Sequence, residues 1–285
     1  MARIIGGIAT SHVPALGNAI AKGLKKDPYW RPFFDGFAAA HDWLAREKPD
    51  AIVVFYNDHG LNFFLDKMPT FAIGAAREYS NADEGWGLPV SRPYRGDPEL
   101  SWHIIEQAVA DEFDVTTCQE MLVDHAVTVP MQMLWPDGTD IPLVPISINT
   151  VQHPLPSPAR CFKLGRSVAH AIAGHGTDKR VLVLATGGLS HQLDGKRAGF
   201  INKAFDLEFL DDLVERPEAI TRLDNRKIVE LAGTQGVELL MWLAMRGALE
   251  GRVRRVHQTY HIPISNTAAS LLVVEPERMA EPVSA

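Results

Sequence analysis

Three short, nearly unbroken aliphatic runs stand out along the chain, at residues 4–9, 51–56 and 180–185. Runs of that length without polar alternation read as strands buried on both faces, the pattern of parallel sheets. Each breaks into a loop that carries a histidine: Thr10-Ser11-His12-Val13-Pro14, Asn57-Asp58-His59-Gly60, and Thr186-Gly187-Gly188-Leu189-Ser190-His191. Pro14 turns its predecessor away from helix, and the glycine pair permits tight turning and close backbone approach. Apolar positions at helical spacing fill the intervals at 30–48, 98–113, 159–173, 202–214 and 236–246. A β-like segment lies around 70–75, and late strands are expected at 253–260 and 271–275. Residues 141–148 also read as a strand, which Pro142 and Pro145 assign to an edge or a bulge.

This alternation predicts a single α/β domain with a central, mostly parallel or mixed sheet flanked by helices, and an active site at the carboxyl ends of the strands. No repeat, low-complexity tract or linker divides the sequence. A catalytic domain is expected over 1–276, with 277–285 as a loose C-terminal tail. The acidic, glycine-bearing stretch 81–89 reads as an ordered surface loop.

With 285 residues and 46% hydrophobic composition, the chain can build a large core. Its 28 basic and 35 acidic residues give a net charge of −7, and no basic run interleaved with aromatics appears, which argues against nucleic acid as a partner. Cys118 and Cys161 are the only cysteines and lack C-x-x-C spacing, so neither a disulfide framework nor a thiolate metal site is expected. The N-terminus lacks a signal pattern, and no stretch approaches the ~20 apolar residues of a membrane span. The expectation is a soluble, unprocessed cytoplasmic protein.

His12, His59 and His191 sit at strand ends, where an open α/β sheet places its ligand crevice. His41, His103, His170 and His175 lie in or just past helices and are assigned to solvent. Glu238 precedes Leu239-Leu240-Met241-Trp242-Leu243-Ala244-Met245, a segment apolar nearly all round and therefore buried. A carboxylate in that first turn is favoured by the helix dipole, but once buried it needs a cation or several donors. An ion pair with Arg246 or simple helix capping would serve; so would a metal. Two imidazoles and one carboxylate make the face that holds a non-haem Fe(II) with positions open for substrate and O2, and the same set makes a catalytic zinc site. Residue chemistry leaves the metal open. No H-E-x-x-H, G-x-S-x-G, G-x-G-x-x-G or P-loop occurs.

Six motifs then fall in order: Thr10-Ser11-His12-Val13-Pro14, Tyr56-Asn57-Asp58-His59, Ala82-Asp83-Glu84-Gly85-Trp86-Gly87, Asp124-His125, Gly187-Gly188-Leu189-Ser190-His191-Gln192-Leu193 and Gly236-Val237-Glu238-Leu239-Leu240-Met241-Trp242-Leu243. From about residue 2 to residue 275 the chain resembles the class III extradiol ring-cleavage dioxygenases of the LigB type. Within that family it is most similar to the catalytic β subunits of the two-subunit protocatechuate 4,5-cleaving kind.

The resemblance implies Fe(II) on His12, His59 and Glu238, with His191 as acid and base beside the open positions and His125 as a donor near the substrate. It places Asn57, Ser265, Asn266 and Thr267 around the ring substituent. The implied reaction inserts O2 into a carboxylated catechol, protocatechuate first, by 4,5-cleavage to a muconate semialdehyde in aromatic catabolism. Gallate and 3-O-methylgallate are the alternatives within the family. Gallate enzymes usually carry a further C-terminal helical region, whereas this chain stops at Ala285. That departure points to a separate small helical subunit over the active site and a dimeric assembly. Ala126 and Gly60 depart from the family pattern near the pocket. A zinc hydrolase and a metal-free binding protein on the same fold are the readings from other classes.

Overall fold

A computed structural model describes residues 1–81, 83–85, 92–264 and 266–277. Its strands are β1 (Arg3–Thr10), β2 (Ala51–Tyr56), β3 (Phe71–Gly74), β4 (Glu78–Asn81), β5 (Tyr94–Arg95), β6 (Thr116–Cys118), β7 (Leu122–Val123), β8 (Leu143–Ile148), β9 (Arg180–Thr186), β10 (Val253–Ile264) and β11 (Thr267–Pro276). Eight of them form one sheet in the order β10-β11-β1-β9-β2-β8-β3-β6, while β5-β4-β7 form a small second sheet. The central strands β1, β9, β2 and β8 run parallel. Antiparallel pairs flank them, β11 on β1 and β3 on β8. The fold is the mixed α/β domain expected from the alternation of runs.

Both faces of the sheet are covered, which is why its central strands are apolar without alternation. Val53 and Phe55 of β2 face one core, with the helices Pro98–Ala110, Pro158–Gly174, Lys203–Glu215 and Leu239–Ala248. Ile52 and Val54 face the other, with Pro14–Ala21, Ala38–Glu47 and His125–Leu134. Parallel pairing brings the carboxyl ends of β1 and β9 level, Thr10 beside Thr186, and Phe55 of β2 lies beside Ala185. Three histidine-bearing loops therefore leave the sheet along one edge.

Several expectations change. The strand over 141–148 is neither an edge nor a bulge, because β8 lies between β2 and β3. Its antiparallel ladder to β3 pairs only Ile146, Ser147 and Ile148, so Pro145 lies just outside it. The proline ring rests against Gly74, where a Cβ would stand 2.6 Å from Pro145 Cγ. The helix expected over 30–48 is split into Arg31–Asp35 and Ala38–Glu47. At the break, a ring nitrogen of His257 donates to the Gly36 carbonyl oxygen at 2.8 Å, taking an acceptor that a continuous helix would use. The segment at 236–246 begins as a 3-10 turn, Gln235–Glu238, before Leu239–Ala248 continues as α-helix. His175, assigned to solvent, is buried and bonds Thr177 Oγ1 at 2.8 Å. His41 reaches the Met133 carbonyl oxygen, while His170 is exposed. The tail at 278–285 lies outside the described residues, as does most of the loop at 82–91.

No single helix among the described residues is long and apolar enough to cross a membrane. Every residue of Leu239–Ala248 is nevertheless buried, Arg246 included. This helix lies against Pro158–Gly174 at backbone contact, since a Cβ on Gly165 would overlap the Ala244 carbonyl and one on Gly247 the Phe162 carbonyl. Adding a methyl group there forces the two helices apart. Gly165→Ala is expected to lower the unfolding free energy by about 1–3 kcal/mol, read from urea denaturation. Gly176→Ala, where nothing stands within 4 Å of the new atom, should stay within ~0.5 kcal/mol of the parent.

Candidate active site

The sheet edge sets up the site. His12 follows β1 by two residues, His59 follows β2 by three and His191 follows β9 by five. Glu238 arrives from the opposite direction, at the junction of the 3-10 turn and the buried helix. Gly187 makes this approach possible: its φ is +107°, and a Cβ there would stand 2.9 Å from that of Glu238. A side chain at position 187 would be both strained and in the way.

Glu238 Oε2 lies 3.5 Å from His12 Nε2 and 3.7 Å from His191 Nε2, and its Oε1 lies 3.7 Å from His59 Nε2. Donors that share one cation at bonds of ~2.0–2.2 Å stand roughly 3–3.6 Å apart, close to these separations. The Gly188 N–H donates to Glu238 Oε2 at 2.9 Å, and the Asn57 carboxamide donates to Oε1 at 3.5 Å. Among the described residues Arg246 gives no ion pair. Its guanidinium donates instead to the Leu213 and Gly251 carbonyl oxygens, at 2.9 and 2.8 Å. Burial alone would raise the Glu238 carboxyl; the neighbouring His12 and His191 outweigh it and hold the group well below the usual carboxylate range. Burial lowers His12, which favours the neutral imidazole that a metal requires.

Each ring is oriented from behind. His12 Nδ1 bonds Thr186 Oγ1 at 3.2 Å, and His191 Nδ1 donates to the Leu189 carbonyl oxygen at 2.8 Å. Asp124 Oδ2 accepts from both the backbone N–H and Nδ1 of His59, at 2.8 and 3.0 Å. Glu84 grips His125 likewise, accepting from its backbone N–H and from Nδ1, both at 2.7 Å. With Nδ1 committed, the Nε2 atoms are left to face the cavity. A partner of this kind fixes the tautomer and raises the basicity of a ligating histidine.

The ligand atoms of His12, His59 and His125 lie within 4.8 Å of one another, as do those of Glu84, Asp124 and His125. The carboxylates of the second group are already matched by N–H donors. A cavity of about 710 Å³ opens over the first, with His12, His59, His125, His191 and Glu238 in its lining. That volume suits a small organic ligand. Its outer wall is apolar, from Val13, Pro14, Ala15, Leu61 and Leu193, and no lysine or arginine lines it among the described residues.

His12, His59, His125, His191, Glu238 and Thr267 thus come together. Thr267 opens β11 directly across a bridge from His191. Asn57 takes a different place from the one expected. Its Nδ2 lies 3.1 Å from His59 Nε2, under the carboxylate and not in the wall of the large cavity. Asn266 is exposed and Ser265 lies outside the described residues. Sequence reasoning missed Glu84, Asp124 and Thr186 as partners of the histidines, although the first two stand inside the motifs that carry the family resemblance.

It also missed Asp206, which is fully buried behind His191. Asp206 accepts from the Ser190 N–H and hydroxyl at 2.9 and 2.6 Å, and from the Tyr260 hydroxyl at 2.7 Å. Burial pushes its carboxyl above the usual range against the pull of these donors.

The class of protein that this fold and edge define is matched by a family model, the catalytic LigB subunit of aromatic ring-opening dioxygenase, over residues 6–270. The chain belongs to that LigB family. A gallate dioxygenase of Pseudomonas putida is 38% identical over 67% of this chain, which spans 57% of that relative's length. A 2,3-dihydroxyphenylpropionate/2,3-dihydroxicinnamic acid 1,2-dioxygenase of Rhodococcus jostii is 36% identical over 88% of this chain and 91% of its own. The crystal structure of an uncharacterized protein from Escherichia coli K12 superposes with a TM-score of 0.57 at 17% identity, covering 94% of this chain and 99% of its own. That likeness bears on the fold.

The Asp206 network gives a direct test of how the His191 turn is held. Asp206→Ala leaves the buried Ser190 hydroxyl and N–H and the part-buried Tyr260 hydroxyl without their acceptor, so the chain is expected to lose about 2–3 kcal/mol of stability, measured by urea denaturation.

Proposed function

We propose that the protein is a ferrous extradiol dioxygenase that opens the ring of a carboxylated catechol, with His12, His59 and Glu238 as the iron ligands. The observation that carries this reading is the buried Glu238 carboxylate, which has a ring nitrogen of three imidazoles within 3.5–3.7 Å of it, each from a loop that follows a strand. A metal satisfies such a carboxylate, and two histidines with one carboxylate leave positions free for a diol and O2. When bound, the iron supplies a template for both reactants and a path for electrons between them.

The chain's own residues supply the rest. His191 Nε2 faces the cavity with its lone pair free, because Nδ1–H is spent on Leu189. It is placed to take a proton from a catechol hydroxyl and to return it later, the part an imidazole plays as general base and then general acid. His125, braced by Glu84, presents Nε2 to the same space. The apolar wall of Val13, Pro14, Ala15 and Leu61 holds the ring flat and keeps water out. A ring carboxylate meets neutral donors there, Thr267, Asn18 and Gln235 among them, and no lysine or arginine among the described residues.

The gallate dioxygenase relative supports gallate as a substrate beside protocatechuate, and 3-O-methylgallate completes the set to be tried. A separate small helical subunit covering the mouth is also proposed, within a dimeric assembly. It is supported by Leu193, which is 56% exposed in the lining of the cavity, and by Phe64 and Leu65, 59% and 70% exposed in the segment that follows His59. A zinc hydrolase remains the competing use of the same ligands.

Anaerobic loading with Fe(II), followed by oxygen uptake with gallate, protocatechuate and 3-O-methylgallate, tests the reading; silence with every catechol rejects it. His12→Ala and Glu238→Ala should bind no iron. His191→Ala should keep its iron and lose ~10²–10⁴-fold in turnover. Asp124→Asn, which removes the charge behind His59, should weaken metal binding by about 10–100-fold, measured by competition with a chelator.

A further inference from the structure

Gln235 opens the 3-10 turn that ends on Glu238. In a 3-10 helix the side chains at i and i+3 eclipse, so Gln235 and Glu238 leave the turn on one side. A rise of ~2.0 Å per residue sets them about 6 Å apart along its axis, a span of the order of a substituted benzene ring. Gln235 lines the large cavity and also a second cavity of about 330 Å³ that shares His59 and Glu238 with it. It therefore stands in the wall between the two, as those proposed ligands do.

The amide of Gln235 is held one way round. Its Oε1 accepts from the Leu193 N–H at 3.1 Å and from the Thr234 hydroxyl at 2.6 Å. A backbone N–H can meet only the oxygen of a carboxamide, so donor chemistry fixes the orientation. The NH2 group is left over, and it donates to nothing among the described residues. Other polar groups of the wall are less committed. The Asn18 side chain makes no hydrogen bond among the described residues that would orient it, and the Thr267 hydroxyl can turn to give or to accept. Gln235 alone of the three is a preset donor, and a donor anchored from behind loses little freedom on binding.

The anchor reaches the acid and base residue as well. Leu193 follows His191 by two residues, so this one amide ties the turn of Glu238 to the loop of His191. The His191 N–H donates to the Ala232 carbonyl oxygen at 2.8 Å, and a Cβ on Gly233 would overlap the His191 carbonyl, which closes the same joint from the backbone. Resting on the iron reading above, we propose that Gln235 is the residue that selects carboxylated catechols: its NH2 group donates to the ring carboxylate, while its oxygen holds the His191 loop. A hydrogen bond to a charged acceptor is stronger than one between neutral groups, which suits a wall without lysine or arginine among the described residues.

The test is anaerobic binding to the Fe(II)-loaded full-length chain by isothermal titration calorimetry, so that no turnover enters. Protocatechuate is compared with catechol and gallate with pyrogallol, pairs that differ only in the carboxylate. The quantity read is the ratio of the two dissociation constants in each pair, which cancels a general loosening of the site. Gln235→Glu keeps an oxygen for Leu193 and turns the NH2 end into a second carboxylate oxygen. Its preference for the carboxylated ring is expected to fall at least about tenfold, the loss of a hydrogen bond to a charged group. Asn18→Asp puts the same charge elsewhere in the wall and is expected to lower the preference less. Should Gln235→Glu fail to fold by circular dichroism, Gln235→Met, uncharged and of similar length, decides in its place, with an expected fall of at least about threefold. A fall smaller than about threefold in the deciding variant, an equal fall in Asn18→Asp, or a parent without preference for the carboxylated ring overturns the proposal. A parent that binds none of the four rings refutes the ferrous catechol reading itself, a result distinct from a failure of Gln235.

Discussion

A carboxylate buried at the start of an apolar helix is the constraint around which this molecule is arranged. Glu238 heads Leu239–Ala248, in which every residue is buried, and an ionised group so placed is tolerated only if its surroundings answer its charge. Helix position contributes some of that answer, the Gly188 N–H contributes more, and three imidazoles complete it. Arg246 spends its charge on carbonyl oxygens at the far end of the helix. The two buried charges of this helix are thus kept apart, each with its own partners.

The parallel core of the sheet is what allows imidazoles from such distant parts of the chain to meet. Strands β1, β2 and β9 end level with one another, so three unrelated loops begin at nearly the same height. Precision then comes from the partners behind the rings: a hydroxyl for His12, a carboxylate for His59, a backbone carbonyl for His191 and a second carboxylate for His125. The four are electronically unequal. A histidine backed by the Asp124 carboxylate is made the stronger donor, whereas His191 has only a backbone carbonyl oxygen behind it.

Much of this was legible in the chain. Uninterrupted aliphatic runs identify β1, β2 and β9, because strands covered on both faces cannot alternate. The apolar surroundings of Glu238 mark its burial for the same reason. Pro145 misled because the rule that confines proline to edges concerns ladder hydrogen bonds, and whether position 145 needs one depends on where β3 stops. The break at Gly36 depends on His257, more than two hundred residues away, and no local pattern reports it. Asp124 and Glu84 are adjacent to or within recognisable motifs, yet their bonds to His59 and His125 are tertiary facts. Asn57 was placed at the ring substituent by likeness alone; its neighbours in space put it beneath the carboxylate.

The wall of the large cavity carries acids but, among the described residues, no fixed positive charge. For the ring opening proposed, this asymmetry acts on the way out. Cleavage beside the diol turns one ring carbon into a new carboxylate, so the product leaves with one more negative charge than the substrate brought. An anion is then confined with Glu84 and, among the described residues, no lysine or arginine in the lining, on a chain whose net charge is −7. Repulsion of this kind rises only after the bond is broken. A pocket that grips its substrate by shape and neutral donors, and not by an ion pair, would therefore discharge what it has made.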